Sequence, residues 1–195
     1  MKKTVFMLMA LVPIVFISCN DENINDENIT IDSVVEMNGS GLDDLFSDDV
    51  DFNAFITALE TKSFRQVKEY RNTDGSWEDY TFVPGDAPAY GFYIDGDSFI
   101  GIKKGMQRRD FYFDYDNKSI HTLLDDEILD DIVYDGVYEC EAKLKYFKHG
   151  IVILEGEICY SVDCYGPGSG QGWTYRYVGV MDDEIRSEWE YQYNN

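Results

Sequence analysis

The chain has 195 residues, with 16 Lys+Arg against 38 Asp+Glu and a formal charge of -22. Twelve Phe, 15 Tyr and three Trp accompany that acidity, a load that disordered acidic tails do not carry, so the chain holds a folded body with a solvated anionic surface. The acidity excludes nucleic acid and anionic membrane as partners met through a basic surface, and the length suits one sizeable domain better than two.

Residues 1–18 read MKKTVFMLMALVPIVFIS. Two lysines precede an apolar run from Val5 to Ile17, which is too short and wrongly flanked for a stable membrane span. The run ends in Phe16-Ile17-Ser18-Cys19, which resembles the lipobox of bacterial lipoproteins. That resemblance implies cleavage after Ser18, a diacylglyceryl thioether on Cys19 and a further acyl chain, such as palmitate, on the new amino group. Two or more acyl chains anchor a protein stably where one does not. Asn20 follows the cysteine, so the aspartate that signals inner-membrane retention is absent, and Asp21-Glu22 is similar to the export signals of Bacteroides-type surface lipoproteins. The expected location is the outer membrane, lipid-anchored, facing the periplasm or the cell surface.

From residue 20 to residue 61 there are twelve acidic residues and no Lys or Arg. The opening NDENINDEN cannot bury enough area to offset the entropy of ordering it, and its like charges extend it. The expected plan is a signal peptide over 1–18, a lipidated cysteine and acidic flexible tether over 19–48, and one β domain over 49–195. That domain starts with a short helix, because Phe52, Phe55, Ile56 and Leu59 fall on one helical face, with Asp48, Asp49 or Asp51 as its cap.

After Lys62 the pattern is strands and tight turns. Asp74-Gly75 separates Phe64–Arg71 from Ser76–Phe82. Asp95-Gly96 reads as a two-residue hairpin turn that sets Phe92 opposite Phe99. Arg109, Phe111, Phe113 and Tyr115 share one face of the next strand, and Asp110, Tyr112, Asp114 and Asp116 the other. Around Gly150 a three-residue loop, Lys148-His149-Gly150, matches Leu144 with Leu154, Tyr146 with Val152 and Lys143 with Glu155, where a two-residue loop opposes Leu144 to Glu155. After the GPGSGQG stretch of 166–172, Trp173 to Val180 is a strand. Ile185, Ser187, Trp189, Tyr191 and Tyr193 alternate with polar residues as a final one. Short turns and no long helix between strands argue for an all-β antiparallel meander. It either closes into a barrel, which removes the edges, or stacks as a two-layer β-sandwich.

The Asp74-Gly75-Ser76-Trp77 turn, the Gly91-Phe92-Tyr93-Ile94-Asp95-Gly96 hairpin, the Phe113-Asp114-Tyr115-Asp116-Asn117 turn and the hairpin from Cys140 to Ile158 resemble the small lipocalin-like lipoproteins of Bacteroidetes. The resemblance implies an eight-stranded antiparallel barrel with a cup at one end.

With Cys19 assigned to lipid, Cys140, Cys159 and Cys164 remain in a compartment that permits disulfides. Cys159 and Cys164, with four residues between them across a bend, either bridge or stay as thiols; Cys140 reads as a small buried hydrophobe. His121 and His149 have no ligand partner at metal spacing. The Asp114–Ser119 stretch resembles a calcium loop only loosely, since Lys118 and Ser119 stand where a ligand and a glycine are required. No metal site, catalytic residue or cofactor motif emerges, and the acidic cluster from Asp125 to Asp135 lacks the burial that acid-base chemistry needs. The first expectation is a non-enzymatic cell-envelope lipoprotein whose β domain binds a small molecule, a glycan or an envelope protein through its many tyrosines. The alternatives are an accessory subunit of an outer-membrane complex and a carboxylate-dependent hydrolase.

Overall fold

The computed structural model describes residues 29–72, 74–81, 89–102, 105–124, 128–129, 132–133, 138–158 and 173–194. The strands are β1 Phe64–Asn72, β2 Trp77–Asp79, β3 Gly91–Asp95, β4 Ser98–Ile102, β5 Met106–Asp114 and β6 Ser119–Leu124, then β7 Ile128–Leu129, β8 Ile132–Val133, β9 Tyr138–Lys148, β10 Ile151–Ile158 and β11 Trp173–Met181. The helices are α1 Ile31–Glu36, α2 Phe52–Thr61 and α3 Ile185–Asn194, with a 3-10 segment over Gly41–Leu45.

Every strand pairing is antiparallel, and the order β11-β10-β9-β6-β5-β4-β3-β1 closes on itself where β1 meets β11. The described strands thus form an eight-stranded up-and-down barrel, not a sandwich. β2 pairs with the far end of β1, while β7 and β8 form a separate two-stranded ribbon. Closure satisfies the backbone of the terminal strands without exposing an edge.

The helix expected near residue 52 forms, capped by the Asp51 carboxylate, which accepts from the Ala54 N–H at 2.9 Å. Its buried face, Phe52, Phe55, Ile56 and Leu59, plugs one end of the barrel against Phe64, Phe92, Ile94, Ile120, Leu144, Val152 and Leu154. Each such side chain contributes about 1.5–3 kcal/mol by leaving water. Rings dominate this plug: Phe64 stacks on Phe92 at 5.4 Å, Phe92 on Phe99 at 5.5 Å, and Phe52 meets Phe113 edge-on at 6.1 Å.

Four expectations are corrected. The tether expected to run to residue 48 is folded from Ile29 onward: Ile29, Val34, Leu42 and Leu45 are buried against Tyr70, Tyr146, Ile151, Ile153 and Val178 on the outer barrel wall. Apolar residues spaced between the acids supply the area that NDENINDEN lacks. The final strand is instead helix α3. The barrel has already closed at Met181, so no edge remains to pair a further strand. Only Ile185 and Trp189 of α3, four residues apart, are buried, while Tyr191 is exposed. Asp182 caps α3 through the Ile185 and Glu184 amides at 3.2 Å, and the Trp189 indole stacks on Tyr93 and donates to the Ala89 carbonyl at 2.7 Å.

The other two corrections concern registers. The hairpin near residue 95 turns on Gly96-Asp97, with Gly96 at φ +59, so Phe92 lies opposite Gly101 and reaches Phe99 diagonally. The loop after β9 has two residues, His149 and Gly150, both with left-handed φ (53 and 76). A bulge at Lys145 then restores the expected pairs Leu144–Leu154 and Lys143–Glu155, while Tyr146 pairs with Ile153 and Val152 with Phe147. The tight loop and the apolar match are both kept because one extra residue is absorbed.

Candidate functional site

Pairing fixes which side chains share the interior. Phe92, Gly101 and Gln107 lie in one row, and Ile94, Phe99 and Arg109 in the next. Phe111 is opposite Thr122, which is opposite Cys140; Gly156 is opposite Ala142 on one side and Tyr175 on the other. A second bulge, at Val67 of β1, shifts the phase so that Gln66 faces Gly179 but Glu69 faces Tyr177 and Arg71 faces Tyr175. Without it Lys68 would occupy the place of Glu69.

The interior therefore has two halves. Near α2 it is packed with the phenylalanines already described. Toward the other end it carries Gln66, Glu69, Arg71, Gln107, Arg109, Thr122, Cys140 and Tyr175. Phe99, Phe111, Tyr175 and Tyr177 keep solvent-accessible surface although they point inward. A Cβ placed on Gly101 would meet nothing within 4 Å. The inner face thus keeps open space at Gly101, in a lumen that also carries accessible rings and polar groups, the make-up of interiors that take small ligands.

Glu69 is buried, and both carboxylate oxygens are engaged, one by Arg71 Nε at 2.7 Å and the other by Gln66 Nε2 at 3.2 Å. Burial pushes the Tyr175 hydroxyl well above its ordinary range, Cys140 and Glu69 add to that rise, and the Arg109 charge opposes it. Tyr175 is a neutral donor at any physiological pH. Arg109 donates from Nη2 to Gln107 Oε1 at 2.6 Å, but its Nε–H is buried without an acceptor. Such an unmet donor costs about 1–3 kcal/mol.

The structure sorts the tyrosines by face. Tyr70, Tyr93 and Tyr146 face outward beneath covering segments, Tyr112 stacks on His121 on the outer face at 4.6 Å, and Tyr175 and Tyr177 are luminal. Cys140 sits half-buried on β9 opposite Thr122. Cys19, Cys159, Cys164 and Tyr134 lie outside the described residues. Lys118 takes a left-handed φ of 52 and donates to the Asp48 carbonyl, while Asp114 accepts from the Asp116 and Asn117 amides at 3.0 Å, an arrangement that closes the turn on itself. Among the described residues no three His, Cys, Asp or Glu are placed to hold a metal, and no helix is long and apolar enough to cross a membrane.

Sequence reasoning passed over Gln66, Glu69, Arg71 and Gln107. It set Arg109 on one face with Phe111 and Phe113, so the signal for its inward position was present, but it gave Arg109 no role in a site. Comparison with protein-family models, curated proteins and solved structures finds no match to this chain.

Proposed function

We propose that the protein is a lipid-anchored cell-envelope lipoprotein that binds a small molecule in the lumen of its barrel, without chemistry on it. The observation that carries the reading is the accessible interior around Gly101, lined by Phe99, Phe111, Tyr175 and Arg109. Interiors of eight-stranded barrels either fill with side chains or hold one small ligand, and among the described residues the packed rings gather at the α2 end while Gly101 faces open space. The lipobox at Cys19 supports the outer-membrane location, with acyl chains fixing the chain to the membrane.

Two measurements test this. Native mass spectrometry of the protein drawn from membranes should reveal a bound small molecule; consistent recovery of a bare protein counts against the lumen as a binding site. Cys19→Ser should abolish lipid labelling and move the chain to the soluble fraction, and a variant that stays fully membrane-bound refutes the anchor.

A further inference from the structure

The chain has six arginines among 38 acidic residues. Five have carboxylate partners: Arg65 with Asp182, Arg71 with Glu69, Arg108 with Asp95, Arg176 with Glu155 and Asp43, and Arg186 with Asp95 and Glu190. Arg109 has none among the described residues, and its Nε–H is buried without an acceptor. In a chain this acidic, an arginine within reach of the surface would find a carboxylate. Among the described residues Arg109 finds none, and its position opposite Phe99 turns it into the lumen.

The surroundings complete a head-group site. Glu69 is the described buried carboxylate on this wall, and Arg71 and Gln66 already occupy its oxygens, which blunts its repulsion of an incoming anion. Tyr175 points into the same interior from β11, opposite Arg71 and Gly156, so a neutral donor and a cation share one lumen. A guanidinium matches the two oxygens of a planar oxyanion. Below them Phe99 and Phe111 offer an apolar floor that stays accessible.

We propose that the lumen takes an amphiphile with an oxyanion head, its apolar body over Phe99 and Phe111 and its head on the Arg109 guanidinium. This rests on the lumen being the binding site. It adds the class of ligand and assigns Arg109 as its selectivity residue.

A matched pair of fluorescent probes tests it: anilinonaphthalene sulfonate, which is anionic, and N-phenylnaphthylamine, which shares the rings but is neutral. Both are titrated into the full chain carrying Cys19→Ser, without detergent. The wild-type lumen should bind the anionic probe more tightly. Arg109→Gln should weaken it by about tenfold or more, as loss of a charge-assisted bond predicts, and leave the neutral probe within about twofold. Gly101→Leu should block both. Should Arg109→Gln fail to fold, the unaltered lumen still decides the matter, because dodecanoate must displace the neutral probe at lower concentration than dodecanol. If both probes bind equally and respond equally to Arg109→Gln, or if dodecanol competes as well as dodecanoate, the oxyanion inference falls and the lumen stands. If neither probe binds, both fall.

Discussion

On the outer face of β11, Arg176 joins the N-terminal segment to the barrel. Its Nε meets Glu155 at 2.8 Å and its Nη2 meets Asp43 at 2.6 Å, its Nη1 donates to the Gly39 carbonyl, and its guanidinium lies 3.9 Å from the Trp77 ring centroid. Arg176→Met removes the bonds to Asp43 and the Gly39 carbonyl and leaves Glu155 to Lys145 alone, at 3.2 Å, so we expect a loss of about 1–3 kcal/mol, with hydrogen exchange accelerating first between Ile29 and Phe46. Unchanged protection there would deny the clasp its role. On β3, Gly91 lets Trp189 approach: a Cβ at this position would collide with the indole and with the Phe64 carbonyl. Gly91→Ala should cost about 1–3 kcal/mol by overpacking, read as a lower unfolding midpoint; a stability equal to wild type would show that α3 packs elsewhere. Neither contact was legible in sequence, because each depends on two distant segments meeting. Arg109 differs, since its phase with Phe111 and Phe113 carried the information locally.

Among the elements, α2 could be read in full, from the Asp51 cap to Leu59, because helical period and capping chemistry are both local. The β strands were legible as strands but less so as faces. Period-two reading assumes regular pairing, and the bulges at Val67 and Lys145 each reverse the phase within one strand. That is how Leu144 faces inward and Tyr146 outward although they are two residues apart. It also brings Glu69 and Arg71 into the lumen. In α3, alternation in the sequence competed with the i, i+4 pair Ile185–Trp189, and closure of the barrel decided for the helix.

Two carboxylates at element junctions give the fold an acid limit. Burial alone would raise Asp79, but the Lys68 ammonium and the Thr81 donors outweigh it and hold the carboxyl at about 2. Asp182 is likewise lowered, burial opposing and Arg65 prevailing. Both bind protons less readily folded than unfolded, so their contribution is complete above the ordinary carboxylate value of about 4 and is lost as pH falls toward about 2. Melting temperature should therefore decline across that window. Asp79→Asn should flatten the decline by a modest amount, under about 1 kcal/mol because the pair is partly solvated. A profile superimposable on wild type would remove Asp79 from the account.

For the molecule as a whole, the charge divides unevenly. Twelve of the 38 acidic residues fall between 20 and 61, leaving 26 against 14 Lys+Arg from Lys62 onward. That group was expected to be tether up to residue 48 and helix beyond it, yet from Ile29 the tether part is a folded strap on the barrel wall. The barrel itself was legible, because short turns and alternating strands admit few topologies. Its lumen was not, since an interior cavity depends on what the facing strands fail to fill.

The account stands on that lumen, and Gly101 offers the most direct access to it. A leucine there has space to fill and no left-handed φ to oppose it, so Gly101→Leu should fold with undiminished stability. Titration with N-phenylnaphthylamine should give saturable binding in the otherwise unaltered chain and none in Gly101→Leu. Equal binding in the two proteins, or none in either, would contradict the claim that this barrel carries a ligand inside.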